Sequence, residues 1–377
     1  MTASPAREPR RPARSEASDV RTVRLCLLGF GHVAQALCRL LGAQERVLRE
    51  RHGLRVLVTA AGTRRGCLVD PAGLTPAEVL ARAGHGPALP QAPLPARDLL
   101  AASDADVLVE LTVMGDLSAA TNAVPYRPEA TAHVLEAFRL GMDVVTANKG
   151  PIAWSWPEVS QAAAAAGRRI RCESAVVDGL PVFSLLEFAL PDCRVLGFEA
   201  VFNATTNFIV DAMGAGRSFE DALAQTQADG YAEADPRNDV DGWDAASKAA
   251  ALANVAMDAG ITPADVERLS LRDVPLERIT RAREAGRRLR LVTSVWREPA
   301  GPTGPAGEAG PAGPVRACLR AEELDVDHPL AAVGGESLAV LLHTDLMGDI
   351  LVCERHALLP QTAYGVYADL MHLCRTG

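Results

Sequence analysis

Val23-Arg-Leu-Cys-Leu-Leu28 runs directly into Gly29-Phe-Gly31-His32-Val33-Ala34, and a helical pattern then continues through Leu41. The apolar run reads as a buried strand, and the glycines that follow it have the spacing G-x-G-x-x-A. Alone that spacing is weak; between a strand and a helix it predicts a dinucleotide-binding turn. Gly29 allows the tight turn, Gly31 lets a pyrophosphate approach the backbone, and small Ala34 lets the helix pack on the sheet. His32 and Val33 open the helix, whose N-terminus would face the phosphates.

A second strand, Leu54 to Ala61, ends in Gly62-Thr63-Arg64-Arg65. A carboxylate there would hold the ribose hydroxyls of NAD. Two arginines predict instead a cradle for the 2′-phosphate of NADP, although a basic surface turn would look the same. Strand and helix signals then alternate: Asp106 to Thr112, a helix from Pro128 to Leu140, and Met142 to Thr146. This rhythm predicts an α/β fold with a Rossmann-type, doubly wound parallel sheet. Ligands of such sheets lie beyond the carboxyl ends of the strands, and Lys149 stands at one of them.

Gly230 to Lys248 carries the acids Glu233, Asp235, Asp239, Asp241 and Asp244. Pro236 and Gly242 break the backbone, so a loop is expected, with a helix starting near Asp241 as its N-cap. Asp244 and Lys248 are four residues apart on one helical face, which continues through Ala251, Leu252 and Val255. A surface ion pair is the bland reading. A charge pair opening an apolar stripe points instead to partial desolvation, where the lysine's proton affinity can be tuned for acid–base work.

At 377 residues and 48% hydrophobic content the chain has room for two domains. A net charge of −9 argues against nucleic acid or an anionic membrane as partner. No apolar run reaches the roughly 18 residues of a membrane span. The N-terminus has no apolar signal region, and eight cysteines without a C-x-x-C pair fit a reducing cytoplasm. No zinc-ligand cluster is evident. The domain plan is a disordered tail at 1–20, a dinucleotide-binding domain at 21–165, and a catalytic domain at 166–345. Within the last, 300–314 reads as a flexible Gly/Pro insertion with glycine at every third residue. Residues 346–377 would return to the first domain, closing with a helix from Gln361 to Leu373.

Together these stretches resemble the homoserine dehydrogenase family. The matching pieces are Gly29 to Ala34, Val144-Val-Thr-Ala-Asn-Lys-Gly-Pro151, Glu173 with Gly179-Leu-Pro181, Asn203-Ala-Thr-Thr-Asn207 and Gly230 to Lys248. The resemblance implies reversible, NAD(P)H-dependent reduction of L-aspartate-4-semialdehyde to L-homoserine, a step of threonine and methionine biosynthesis. It also implies a Rossmann-type domain, a mixed α/β catalytic and dimerisation domain, and a homodimer. Lys248 and Lys149 match the family's catalytic lysines, and Asp244 the acid beside them. Glu233, Tyr231, Thr205 and Asp239 match substrate-site positions. Glu173, with the carbonyls of Val176, Asp178 and Leu180, matches a monovalent-cation (Na+) site. Where the family has a Gly-Ala-Gly loop near the cofactor, this chain has Arg355-His-Ala-Leu-Leu359, so side chains are expected against the cofactor. The chain's end at Gly377 suggests a short form without a regulatory domain. Two rivals stand beside this reading: an enzyme of the same fold for a related amino-acid aldehyde, and a non-catalytic dinucleotide-binding protein.

Overall fold

A computed structural model describes residues 20–84, 89–115, 126–298 and 313–375. The expected tail and most of the glycine-rich insertion lie outside the described residues. The described strands form two six-stranded sheets.

The first sheet contains β1 (Arg21–Leu28), β2 (Leu54–Thr63), β3 (Gly66–Leu74), β4 (Val107–Glu110), β5 (Asp143–Thr146) and β6 (Ile170–Arg171), in the order β3-β2-β1-β4-β5-β6. All pairings are parallel except β2 with β3. The chain therefore does not cross over after β2. Arg64 and Arg65 form the exposed tip of a hairpin, and β3 returns antiparallel along the sheet edge, carrying Pro71 and Gly73 that hid it from a strand reading.

The second sheet contains β7 (Val195–Val201), β8 (Glu267–Arg268), β9 (Arg288–Arg297), β10 (Val315–Leu324), β11 (Leu338–Thr344) and β12 (Gly348–Glu354), ordered β12-β11-β7-β9-β10-β8. It is antiparallel apart from the β10–β8 pair.

Five helices position the site: α1 (His32–Ala43), α2 (Lys149–Ala166), α3 (Ala204–Gly214), α4 (Trp243–Met257) and α5 (Leu359–Arg375). Alanines 245, 246, 249, 250, 251 and 253 are buried on α4, and their small side chains let it pack against α2 and the second sheet. Val366, Leu370, Met371 and Leu373 of α5 join the core of α1 and β1. No helix among the described residues is long and apolar enough to cross a membrane.

The helix expected to start at Asp241 starts at Trp243, capped by Gly242 in the left-handed conformation (φ 77°). Asp241 instead ends a single helical turn, Arg237–Val240, and accepts the Ser270 hydroxyl at 2.8 Å. A Cβ on Gly242 would come within 2.6 Å of Leu319 Cδ2, so glycine satisfies both the turn and the packing. The apolar stretch after Pro181 forms an α turn at Val182–Ser184 followed by a π turn at Leu185–Ala189.

Candidate active site

A cleft of ≈ 630 Å³ opens between the carboxyl edge of the first sheet and the second unit. Val33, Leu111 and Thr112 line it from the first sheet, with Lys149 from α2. Tyr231, Glu233, Asp239, Asp244 and Lys248 line the opposite side.

At its floor Asp244 is shared by two ammonium groups. Lys149 Nζ lies 2.8 Å from Oδ1 and Lys248 Nζ lies 3.2 Å from Oδ2. Lys149 occupies the first turn of α2 because Asn148 caps that helix, its Oδ1 accepting from Gly150 N at 2.8 Å. The Asn148 amide also donates to Thr112 O at 2.9 Å, which ties the helix start to the exit of β4. Lys248 donates to Phe202 O at 2.7 Å.

Burial alone would raise the Asp244 pKa, but the two lysines outweigh it and hold the carboxyl well below its usual range. For Lys248, burial would lower the value, yet Asp244, Asp178 and Asp239 hold it above that of an ordinary lysine. The desolvated pair inferred from sequence is therefore present, with the tuning directed towards the protonated form of the lysine. Asp239 moves the other way: burial and the Asp244 charge raise its pKa.

Asn203 separates these two acids. Its Oδ1 caps α3 by accepting Thr206 N at 2.8 Å, so its amide faces inward and donates to Asp239 (2.7 Å) and Asp244 (3.0 Å). Sequence reading quoted the Asn203 motif without giving this residue a site role. An Asn followed three residues later by a buried polar residue is a capping signal that would have fixed its orientation.

Glu233 is exposed on the cleft wall, and its carboxylate has no hydrogen-bond or ion-pair partner among the described residues. Its neighbour Asp235 is paired with Arg237 at 2.5 Å. Thr205 stands behind the residues that line the cleft, its hydroxyl donating to Tyr231 O at 2.7 Å and lying in hydrogen-bond reach of Asp239. A polar residue on a buried helix face serves the backbone beside it, which its sequence position does not reveal.

On the cofactor side, α1 starts at His32 with Gly31 as its N-cap and no side-chain cap. A Cβ on Gly31 would meet nothing within 4 Å, whereas one on Gly29 would strike the Leu111 carbonyl. The first glycine thus admits β4's exit loop, and the second leaves open space before free helix N–H groups, as a pyrophosphate requires. Ala34 is fully buried and Val33 reaches the cleft. Thr63 ends β2, its hydroxyl accepting Arg65 N at 3.1 Å, with Arg64 and Arg65 both exposed.

Two residues of the expected cation site, Glu173 and Leu180, accept hydrogen bonds from the turn at Val182 to Ser184. Glu173 accepts from Phe183 N and Ser184 N, each at 2.8 Å, and from the Ser184 hydroxyl. Leu180 O accepts Val182 N at 2.8 Å. Glu173 so satisfies the N-terminus of the helix at Val182. Arg355 to Leu358 form a loop before α5, and His356 points to Glu336 and solvent, outside the cleft lining. Leu359, which ends the expected stretch and opens α5, lies beside Ala36, Arg39 and Leu40 of α1.

The sequence profile of homoserine dehydrogenase matches residues 181–371. The NAD(+)-dependent homoserine dehydrogenase of Pseudomonas canavaninivorans is 31% identical over 356 residues, covering 93% of this chain and 96% of that protein. The chain belongs to the homoserine dehydrogenase family. The homoserine dehydrogenase of Mycobacterium leprae is 32% identical over 95% of this chain and 74% of its own length. Among solved structures, the putative homoserine dehydrogenase of Archaeoglobus fulgidus superposes with a TM-score of 0.78 at 27% identity, covering 93% of this chain and 99% of that one. Family membership makes this protein an oxidoreductase acting on a CH–OH group, and the Rossmann-type α/β fold read from the sequence is the fold found.

Proposed function

We propose that this homoserine dehydrogenase interconverts L-aspartate-4-semialdehyde and L-homoserine with NADP as preferred cofactor. The observation that carries the chemistry is the Lys149–Asp244–Lys248 cluster at the floor of the cleft. When bound, the dinucleotide supplies or accepts the hydride at the substrate's C4 carbon. The chain's own residues handle charge and proton. In the reducing direction the two ammonium groups face the carbonyl oxygen and stabilise the negative charge that develops on it. Lys248, held protonated, donates the proton that completes the alcohol. Asp244 keeps the two cations together while no substrate charge is present. Glu233, with no partner of its own, binds the substrate ammonium, and Asp239 adds negative potential beside it.

NADP preference rests on the Arg64-Arg65 tip at the end of β2 and the lack of an acid there. The Pseudomonas canavaninivorans relative is NAD(+)-dependent and a hyperthermophilic archaeal homoserine dehydrogenase was solved with NADPH, so the preference proposed here rests on Arg64 and Arg65 alone. Glu173 would hold a monovalent cation with the carbonyls of Val176, Asp178 and Leu180, its carboxylate already accepting from Phe183 and Ser184, and no step passes through that cation. A homodimer is also proposed, supported by the exposed apolar side chains of Leu346 and Met347 in the turn before edge strand β12 and of Leu351 on it.

Steady-state oxidation of L-homoserine with NADP and with NAD tests the reading. Robust turnover with a higher kcat/KM for NADP is expected. Lys248→Ala should lower kcat by about two to four orders of magnitude. Failure of the parent to oxidise homoserine would overturn the assignment.

A further inference from the structure

Tyr231 forms part of the cleft wall and is held from three sides. Its ring stacks on Phe208 with centroids 4.1 Å apart. Its backbone oxygen accepts the Thr205 hydroxyl, and its own hydroxyl donates to Glu336 Oε1 at 2.6 Å. The second oxygen of Glu336 lies 3.3 Å from His356 Nδ1.

Glu336 sits on a short segment between Val333 and β11 that is itself pinned. The Asn207 amide donates to Ser337 O at 3.0 Å and Gly335 O at 3.4 Å. Asp211 accepts Gly335 N at 3.2 Å while its other oxygen takes the buried Arg290 guanidinium at 2.6 Å. A Cβ on Gly334 would come within 2.7 Å of Asp211, so the segment passes this clamp only with glycine there. Towards the C-terminus, Ala357 N donates to Glu336 O at 3.2 Å and Ser337 Oγ to Arg355 O at 3.1 Å. The carboxylate is therefore placed by the scaffold and does not follow the tyrosine.

That placement has a chemical consequence. A phenol has one proton to donate and lone pairs to accept with, and free rotation would let it play either part. An ionised carboxylate is an acceptor only. The Glu336 carboxyl is held below its ordinary range by the hydrogen bonds from Tyr231 and His356, so it stays ionised near neutral pH. The Tyr231 proton is thus committed to Glu336, and lone pairs are what remain for the cleft.

We propose that Glu336 is a positioning residue that fixes Tyr231 as a hydrogen-bond acceptor for the substrate's ammonium group, with His356 steadying the carboxylate. This deepens the assignment above and rests on it. Tyr231 then complements Glu233 by favouring substrates that carry a donor and disfavouring those with a second anion at that place.

The test is a double-mutant cycle on the full-length enzyme, with kcat and KM for L-homoserine and Kd for NADP measured in the parent, Glu336→Gln, Tyr231→Phe and the double variant. Glutamine can donate to the phenol oxygen and so reverses the polarity. Glu336→Gln should raise KM about three- to tenfold, with a smaller change in kcat and none in Kd for NADP. In the Tyr231→Phe background the same change should have no further effect on KM. His356→Ala, at an exposed position that leaves the fold intact, should raise KM in the same direction by about two- to threefold. Equal effects of Glu336→Gln in both backgrounds, or an unchanged KM in a folded Glu336→Gln, would overturn the proposal. If Glu336→Gln does not fold, an unchanged KM in both Tyr231→Phe and His356→Ala would overturn it. A parent that does not turn over homoserine defeats the functional assignment itself, which is a separate result.

Discussion

Lys149 Nζ lies 2.8 Å from Asp244 Oδ1, and this ion pair joins the first turn of α2, at the edge of the parallel sheet, to the first turn of α4 in the second unit. Lys248 reaches the same carboxylate from one turn along α4. The Lys149–Asp244–Lys248 cluster therefore exists only where the two halves of the chain meet.

Asp244→Asn would leave two ammonium groups facing each other without their shared anion. We expect kcat to fall by about two to three orders of magnitude. We also expect a loss on the order of 3–5 kcal/mol of stability at pH 7, as for other broken buried pairs. The folded carboxyl lies below its unfolded value of 3.8, so its contribution is present above about pH 4 and disappears as pH falls through the folded value. The difference between parent and variant should accordingly shrink towards pH 2. Denaturant titrations at pH 7 and pH 3 check this; equal differences at both would contradict the linkage.

Glu233→Gln removes a carboxylate that has no other partner among the described residues. The KM for homoserine should rise about tenfold or more while the Kd for NADP holds steady. Were KM to stay constant, the ammonium would have to be anchored elsewhere, Asp239 being the next acid in the cleft.

Replacing both Arg64 and Arg65 with alanine should weaken NADP by about tenfold or more and spare NAD. Because the pair forms an exposed hairpin tip, melting temperature should not change. Equilibrium binding of both cofactors decides the matter, and equal losses for the two would remove the arginines from 2′-phosphate recognition.

Asp369 on α5 is buried beside Glu173, accepting its backbone N–H at 2.8 Å. Burial first, and then the Glu173 charge, push its pKa up to about 8. A raised carboxyl favours the fold while protonated: that stability is full below the unfolded value of 3.8 and is lost as pH rises through about 8. Asp369→Asn, which mimics the protonated form, should therefore stabilise the protein at pH 8 by about 2–4 kcal/mol. Thermal melts between pH 5.5 and 8.5 should show a flatter profile for the variant. A variant that melts lower than the parent at pH 8 would mean that the ionised carboxylate is needed.

The strand, turn and helix around Gly29 are legible because the apolar run, glycine spacing and helical pattern are local signals lying within about twenty residues of one another. The hairpin of β2 and β3 was not. Pro71 and Gly73 are rare inside strands, and β3 tolerates them only because it lies at a sheet edge. The helix cap falls one residue beyond the expected Asp241 for a similar reason. Asp241 has the chemistry of a cap, but Ser270, distant in sequence, takes its side chain, and Gly242 makes the turn.

For the site, sequence by itself determined the pairing of Asp244 with Lys248, since i,i+4 spacing on a helix leaves the two groups little choice. It also determined the dinucleotide turn and placed Lys149 beyond a strand's carboxyl end. Tertiary structure alone decided that Lys149 shares the Asp244 carboxylate, that Asn203 divides Asp239 from Asp244, and that Glu336 holds Tyr231. Each of these contacts joins residues far apart in the chain. Their distances follow from how two sheets and the helices between them pack, which no local pattern encodes, and the sign of the Lys248 shift depends on the sum of those distant charges.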